Sequence, residues 1–357
     1  MTASPFPLDI FAGRIAYQRL QEEGWTADLF DLLLGASGGP KWLVLSQLDI
    51  ALHDTLLSRR SSPLTAVGSS IGCWRHAYLA QSDPQAAMDA FLDPYLHQTY
   101  QGRPTAREIS AVTRSMLSDL LGRDGKQAIL YETRLRTRIV TARAPVSVNP
   151  KRPLRMASHM AGAAVGNAVS RSVLQRHFQR VIFHSGSTPH EPLPISGFST
   201  EFVPLDESSI APAIHASSSI PAVLTGESNI HGAPPGHYWD GGIIDYHFDL
   251  ADFSGPGLIL YPHFATDLTP GWFDKMWRRR KHDPRGIDHL VLLAPNRHFV
   301  SKLPHAKIPD RSDFKHFDPA MRQRYWSTVV ERSTHLAEAW HRVVADPNPV
   351  RFVERRT

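Results

Sequence analysis

The segment LTAVGSSIGCWRHAYLA, Leu64 to Ala80, constrains this chain more than any other. A short apolar run, Leu64–Gly68, reads as a strand, and Ile71–Ala80 reads as a helix that begins almost at once. A strand that enters a helix through so short a turn strains its backbone at the central residue, Ser70. Side chains would clash at the flanking positions, which are Gly68 and Gly72. The helix start also points N–H groups and a positive dipole end at whatever meets the Ser70 hydroxyl. The pattern is G-x-S-x-G, the signature of a serine hydrolase nucleophile.

A second match, Gly35-Ala36-Ser37-Gly38-Gly39, also lies between a strand, Asp28–Leu34, and a helix read over Pro40–Leu57. Its consecutive glycines suit a different task. Gly38 and Gly39 offer two N–H groups that a substrate carbonyl can approach without meeting a side chain, and Pro40 is tolerated in a first helical turn. One loop is therefore read as the oxyanion loop and the other as the nucleophile turn, with Ser37 kept as the rival to Ser70. For the base the residues leave two choices. One is a histidine, of which the chain has 19. The other is Asp240 in HYWDGGIIDYH, where Gly241 and Gly242 let a carboxylate approach a hydroxyl, although an Asp-Gly pair is also an ordinary turn.

The rest of the chain alternates strands with helices, which points to a mainly parallel sheet covered on both faces. Further strands are expected at Thr137–Ala142, Arg180–His184, Glu201–Leu205, Gly257–Pro262 and His289–Ala294. Helices are expected at Asp83–Tyr100, from Thr105 to about Leu121 behind a capping box, and from Asp318–Pro319 to about Ala345. Pro221, Pro234 and Pro235 mark loops. No repeat or polar linker divides the 357 residues, so one elaborated domain is expected. Residues 1–27 are assigned to an N-terminal segment, 28–300 to the main domain, and 301–357 to a C-terminal helical extension packed on it.

Charge and cysteine content narrow the setting. A single cysteine, Cys73, excludes an internal disulfide framework and fits a reducing compartment; it reads as a small buried residue rather than a thiol nucleophile. No run of eighteen apolar residues is present, and the N-terminus lacks a basic region followed by an apolar one, so a cytoplasmic location is expected. The net charge of +5 favours an anionic surface. The candidate contact is Gly271–Lys281, GWFDKMWRRRK. On a helix its Trp272, Phe273, Met276 and Trp277 would share a face bordered by Lys275, Arg278, Arg279 and Lys281. The competing reading is a core-packing face followed by a solvated basic run. Nucleic-acid binding is not expected, since no recognition fold accompanies the charges. His231, His237, His247, Asp249 and His263 lack convincing metal-ligand spacing. Met160–Ala168 reads as a tightly packed small-residue helix.

Together these loops resemble the patatin-like phospholipases, lipid acyl hydrolases that use a Ser-Asp dyad without a histidine. The family pattern is a glycine-rich loop ending in a basic residue, a G-x-S-x-G turn and a D-G-[GA] loop. Here these are Ser37-Gly38-Gly39-Pro40-Lys41, Gly68-Ser69-Ser70-Ile71-Gly72 and Asp240-Gly241-Gly242, in the same order. His215-Ala216-Ser217-Ser218-Ser219-Ile220-Pro221 is similar to the segment that precedes the family's aspartate loop. The likeness runs from about Leu32 to Asp245. Two departures are Ser37, where the family has a first glycine, and Trp42, where a further glycine often stands.

The resemblance implies a three-layer α/β/α sandwich and a carboxylic ester hydrolase of the phospholipase A or lipase kind. Ser70 would be the nucleophile and Asp240 its base. Gly38, Gly39 and Ile71 would give the oxyanion N–H groups, with neither metal nor cofactor. Lys41 would orient the loop or meet a lipid phosphate, unless it is a solvated lysine at a helix start. The substrate would be a lipid or acyl ester at a membrane surface. Two alternatives stand beside it: an α/β-hydrolase-type esterase with a histidine base, and a catalytically silent membrane-binding protein of the same fold.

Overall fold

The computed structural model describes residues 6–132, 134–186, 197–250, 257–277, 280 and 287–356. The strands are β1 (Leu8–Ala12), β2 (Phe30–Gly35), β3 (Leu64–Ser69), β4 (Leu135–Ala144), β5 (Gln179–His184), β6 (Thr200–Pro204), β7 (Glu227–Ser228), β8 (His237–Asp240), β9 (Leu258–Pro262), β10 (Leu290–Pro295) and β11 (Val353–Arg355). The helices are α1 (Arg14–Glu23), α2 (Ser46–Thr55), α3 (Ile71–Leu79), α4 (Pro84–His97), α5 (Ala106–Leu121), α6 (Gly125–Tyr131), α7 (Pro153–Val169), α8 (Ile210–Ser217), α9 (Arg297–Ser301), α10 (Asp313–His316) and α11 (Pro319–Ala345).

One sheet runs in the order β11-β1-β10-β9-β2-β3-β4-β5-β6, with β8 on β4 and β7 on β8. Six of the ten described strand pairings are parallel. Every residue of β9 (LILYP) and β10 (LVLLAP) is buried, so side chains pointing both ways from the sheet meet covering layers. That is the three-layer α/β/α arrangement expected of the sequence.

The main core lies where α2, α3, α4 and α11 pack together. Trp42 stacks on Phe91 at 4.9 Å, and Trp74 meets the same ring at 4.9 Å. Trp340 of α11 donates its indole N–H to Thr55 Oγ1 at 2.8 Å. Asp49 of α2 is buried, yet it takes a two-pronged bond from Arg75 (2.7 and 2.6 Å) and a third from Tyr78 OH. Such satisfaction is what lets a charged pair sit in a core, and it locks α3 to α2. A smaller cluster around Trp239, Ile243, Phe178 and Phe273 packs beneath α7.

Most expected elements fall within a residue or two of their sequence positions. The region after Gly39 differs: Gly39–Leu45 is a 3-10 segment and only Ser46–Thr55 is α-helical. Gly39 has φ +55°, outside the helical region, so the segment that it opens cannot start as a regular α-helix. The final turn expected of the Asp83 helix is also absent, since α4 ends at His97. The sheet takes in four strands that the sequence reading did not contain, β1, β7, β8 and β11. β1 runs antiparallel to β10, and β11 adds parallel to β1, so part of the N-terminal segment is integral to the sheet.

Candidate active site

The site is assembled on one edge of β4. β5 occupies one edge of β4 from Arg138 to Arg143. β3 and β8 must therefore share the other. β3 comes up parallel and ends with Ser69 opposite Val140. β8 comes down antiparallel and ends with Asp240 opposite Thr141. The two strand tips meet on adjacent residues of β4, and residues 170 positions apart become neighbours.

Ser70 sits at the first tip with φ 55° and ψ −126°, a conformation that costs a non-glycine residue about 1–3 kcal/mol. Its Oγ donates to Asp240 Oδ2 at 2.9 Å, and both residues are buried. Asp240 Oδ1 accepts the Gly242 N–H at 2.7 Å, and the Asp240 N–H donates to Ser219 O at 2.9 Å. Burial pushes the Asp240 carboxyl above its usual range, while Arg311, the Gly242 N–H, Ser70 and Lys275 act the other way.

The meeting of two strand tips leaves a gap in the β4 ladder, which α8 fills. Ser217 Oγ donates to Val140 O at 2.6 Å and accepts the Ser70 N–H at 3.0 Å. The turn is also tightly packed. A Cβ on Gly72 would stand 2.0 Å from Gly35 O, and one on Gly68 would stand 2.7 Å from Cys73 N. On the other loop, a Cβ on Gly241 would stand 2.2 Å from Val140 O and one on Gly242 would stand 2.5 Å from Ser37 Oγ. Only glycine allows these approaches.

The Ser37–Gly39 loop lies beside Ser70, with Ser37 and Gly38 in the same pocket lining. Ser37 N–H donates to Tyr246 O at 2.9 Å, and Ser37 Oγ lies 3.0 Å from Ser69 Oγ. Ser37 has neither a carboxylate partner among the described residues nor a positive φ, the two marks that Ser70 carries. Gly39 opens a 3-10 segment and Ile71 opens α3, positions whose N–H groups have no acceptor within their own helices. Gly38 lines the pocket, whereas Gly39 and Ile71 are not among its lining residues.

That pocket, about 300 Å³, brings Ser37, Gly38, Ser70, Asp240 and Gly242 to a common wall. Met160, Ile220, Pro221, Ile243 and Trp272 provide apolar lining. Three cations complete it: Lys41, Lys275 and Arg311. Lys41 Nζ lies 4.7 Å from the centre of the Phe264 ring, and burial pulls its pKa down. Lys275 Nζ lies 3.5 Å over Tyr246.

The 271–281 stretch needs correction. Trp272–Met276 is a short 3-10 turn, not a helix with one aromatic face. Phe273 is buried beneath it while Trp272 (40%), Met276 (77%) and Trp277 (43%) are exposed. Buried Asp274 pins the turn, accepting from Asn167 Nδ2 (2.8 Å), Arg280 (2.7 Å), Arg171 (3.2 Å) and the Gly271 N–H (3.1 Å). Arg278, Arg279 and Lys281 lie outside the described residues.

No histidine among the described residues lines the pocket or bonds Ser70; His190 and His282 lie outside them. His76 on α3 is buried, and desolvation followed by Arg75 holds it down to about 3. Of the five residues weighed as a metal site, His231 bonds Asp206, His237 bonds Ser228 and the Thr225 carbonyl, and His247 accepts from the Thr269 N–H. His263 pairs with Ala265, and no group of three ligands forms among the described residues. Cys73 is buried, with burial pushing its thiol up to about 12, which rules out a ready thiolate. Ser217 and Arg311 were not singled out from the sequence. The alanine- and serine-rich run held a signal for Ser217, but nothing marked Arg311.

The fold and this arrangement define an α/β protein with a strained serine bonded to a buried aspartate. No family model matches the chain, and no curated protein matches it. Among solved structures, a chain of the heterodimeric ExoU–SpcU complex from the type III secretion system of Pseudomonas aeruginosa is similar at 15% identity and a TM-score of 0.30. The match covers 94% of this chain and 54% of that one, so this chain spans about half of its length.

Proposed function

We propose that this protein is a serine acyl hydrolase of the patatin-like phospholipase kind, with Ser70 as nucleophile and Asp240 as base. The observation that carries this reading is the Ser70 Oγ to Asp240 Oδ2 bond of 2.9 Å made by a serine held at φ 55°. In the proposed reaction Asp240 takes the Ser70 proton while Oγ attacks the ester carbonyl, with N–H groups of Gly38, Gly39 and Ile71 receiving the oxyanion. Collapse expels the alcohol, which takes the proton from Asp240. Water then gives a proton to Asp240 and attacks the acyl-enzyme, and collapse releases the acid while Ser70 Oγ takes that proton back from Asp240. Each oxyanion donor contributes about 3 kcal/mol to such a step.

The raised Asp240 pKa supports the role of base, because a base works best with its pKa near the working pH. A pocket of about 300 Å³ lies at the lower end for ligand sites. It fits an ester whose acyl chain protrudes. Exposed Trp272, which lines the pocket, and exposed Met276 and Trp277 that follow it in the chain supply apolar contacts for a lipid surface. No helix among the described residues is long and apolar enough to cross a membrane.

The test is labelling with a fluorophosphonate probe followed by peptide mapping. The expected adduct is on Ser70, lost in Ser70→Ala and much slower in Asp240→Asn. An adduct on Ser37, or an unchanged rate in Asp240→Asn, would remove the dyad.

A further inference from the structure

Lys41, Lys275 and Arg311 arrive at the pocket from three separate parts of the chain, and each is held there. Lys41 follows the oxyanion loop and rests its ammonium against Phe264. Lys275 stands on the turn pinned by Asp274. Arg311 stands on a loop fixed by a second buried carboxylate, Asp313, which accepts the Asp310 N–H at 3.0 Å and Trp326 Nε1 at 2.9 Å. A Cβ placed on Gly39 would stand 3.0 Å from Arg311 Nε, which puts the guanidinium against the oxyanion loop.

None of the three has a carboxylate bond among the described residues, unlike Arg75, Arg171 and Arg180. Asp310, the other acidic group of the lining, is engaged by Lys307 at 3.1 Å and by Ser312. Gathering three cations around Asp240 sets like charges against one another. Its cost is visible at Lys275, whose ammonium is pulled down to about 7 by burial, then by Lys41 and Arg311, against the pull of Asp240. A group with a net negative charge would relieve that repulsion, while a zwitterionic group would bring a further cation into it.

Resting on the hydrolase reading above, we propose that Lys41, Lys275 and Arg311 form an anion subsite that selects acyl esters bearing a net-negative group, of the phosphomonoester kind, over neutral and zwitterionic ones. Lys275 and Arg311 are the specificity-determining members. The phosphate sits among the three cations, and the ester carbonyl reaches Ser70 beside it.

The experiment compares release of fatty acid from 1-acylglycerol 3-phosphate, 1-acylglycerol and 1-acylglycerophosphocholine by the full-length protein, together with binding of glycerol 3-phosphate and inorganic phosphate by calorimetry. Wild type should favour the phosphomonoester at least about tenfold in kcat/KM, since a charge-assisted bond is worth at least that factor. Lys275→Ala and Arg311→Ala should each lower the anionic-to-neutral ratio of kcat/KM about tenfold or more, mainly through KM, and Lys275→Arg should restore part of it. Glycerol 3-phosphate should bind wild type and fail on Lys275→Ala. Binding of inorganic phosphate alone, with no preference among the esters, would mean a free-anion site and overturn the proposal. Equal ratios in wild type and both variants would also overturn it while leaving the hydrolase intact. Loss of all ester hydrolysis with glycerol 3-phosphate binding retained and lost in Lys275→Ala would remove the hydrolase reading and keep the anion subsite.

Discussion

Removing the hydroxyl of Ser217 tests how the strained serine is held. Ser217 Oγ is the acceptor for the Ser70 N–H and the donor to Val140 O, and all three residues are buried. Ser217→Ala leaves both backbone groups without a partner. Each buried unsatisfied group costs about 1–3 kcal/mol, and allowing for relaxation the variant should lose about 2–4 kcal/mol of stability. The loss falls on the residue already held at φ 55°, so part of it should be recovered by letting the Ser70 backbone relax out of that conformation. A displacement of about 1 Å at a reacting atom costs on the order of 100-fold in rate. Urea denaturation gives the first quantity and the rate of fluorophosphonate labelling at Ser70 gives the second. Ser218→Ala serves as the control, because its hydroxyl bonds carbonyls of its own helix and Trp74 Nε1 but not the Ser70 turn. If Ser217→Ala is as stable as wild type and labels at the same rate, the hydroxyl does not hold the turn and the account is wrong.

Three other variants follow from the same geometry. Asp240→Asn keeps an acceptor for the Gly242 N–H but cannot take a proton, so ester hydrolysis should fall about 10²–10⁴-fold. Because the folded pKa of Asp240 is raised, its ionisation costs stability as pH climbs through that value, and melting curves should show Asn stabilising the fold more at pH 8 than at pH 4. For Gly72→Ala the added methyl would stand 2.0 Å from Gly35 O, and backbone must move; a loss of at least about 1–3 kcal/mol in chemical denaturation is expected, with slower labelling because Gly35 leads into the Ser37–Gly39 loop beside Ser70. Asp274→Ala strips Arg171, Arg280 and Asn167 of a shared acceptor and should cost about 3–5 kcal/mol by the same measurement.

The sequence carried the local devices of the site and not its assembly. Ser70 stood out because strand, turn, glycines and helix all fall within seventeen residues, where steric rules act locally. The 3-10 character of Gly39–Leu45 did not, since Lys41 to Leu45 is compatible with a helix and only the φ of Gly39 decides otherwise. β1 and β11 are short strands whose places depend on pairings across most of the chain. The turn at Trp272–Met276 was legible as aromatic and basic, yet which side chain turns inward depends on Asp274 meeting Asn167 more than 100 residues earlier. Arg311 had no local mark, because a single arginine in a polar loop becomes part of a pocket only when Asp313 and Trp326 fix the loop.

The end-to-end meeting of β3 and β8 along β4 also makes the chemistry a reporter of folding. Ser70 and Asp240 have 169 residues between them, and contacts of such sequence separation form slowly. A growing or partly folded chain that carries the elbow but has not docked β8 holds a serine without a base. On the proposed dyad, hydrolytic competence appears only once β8 has docked on β4, so a chain that has not reached that pairing is held silent by topology alone.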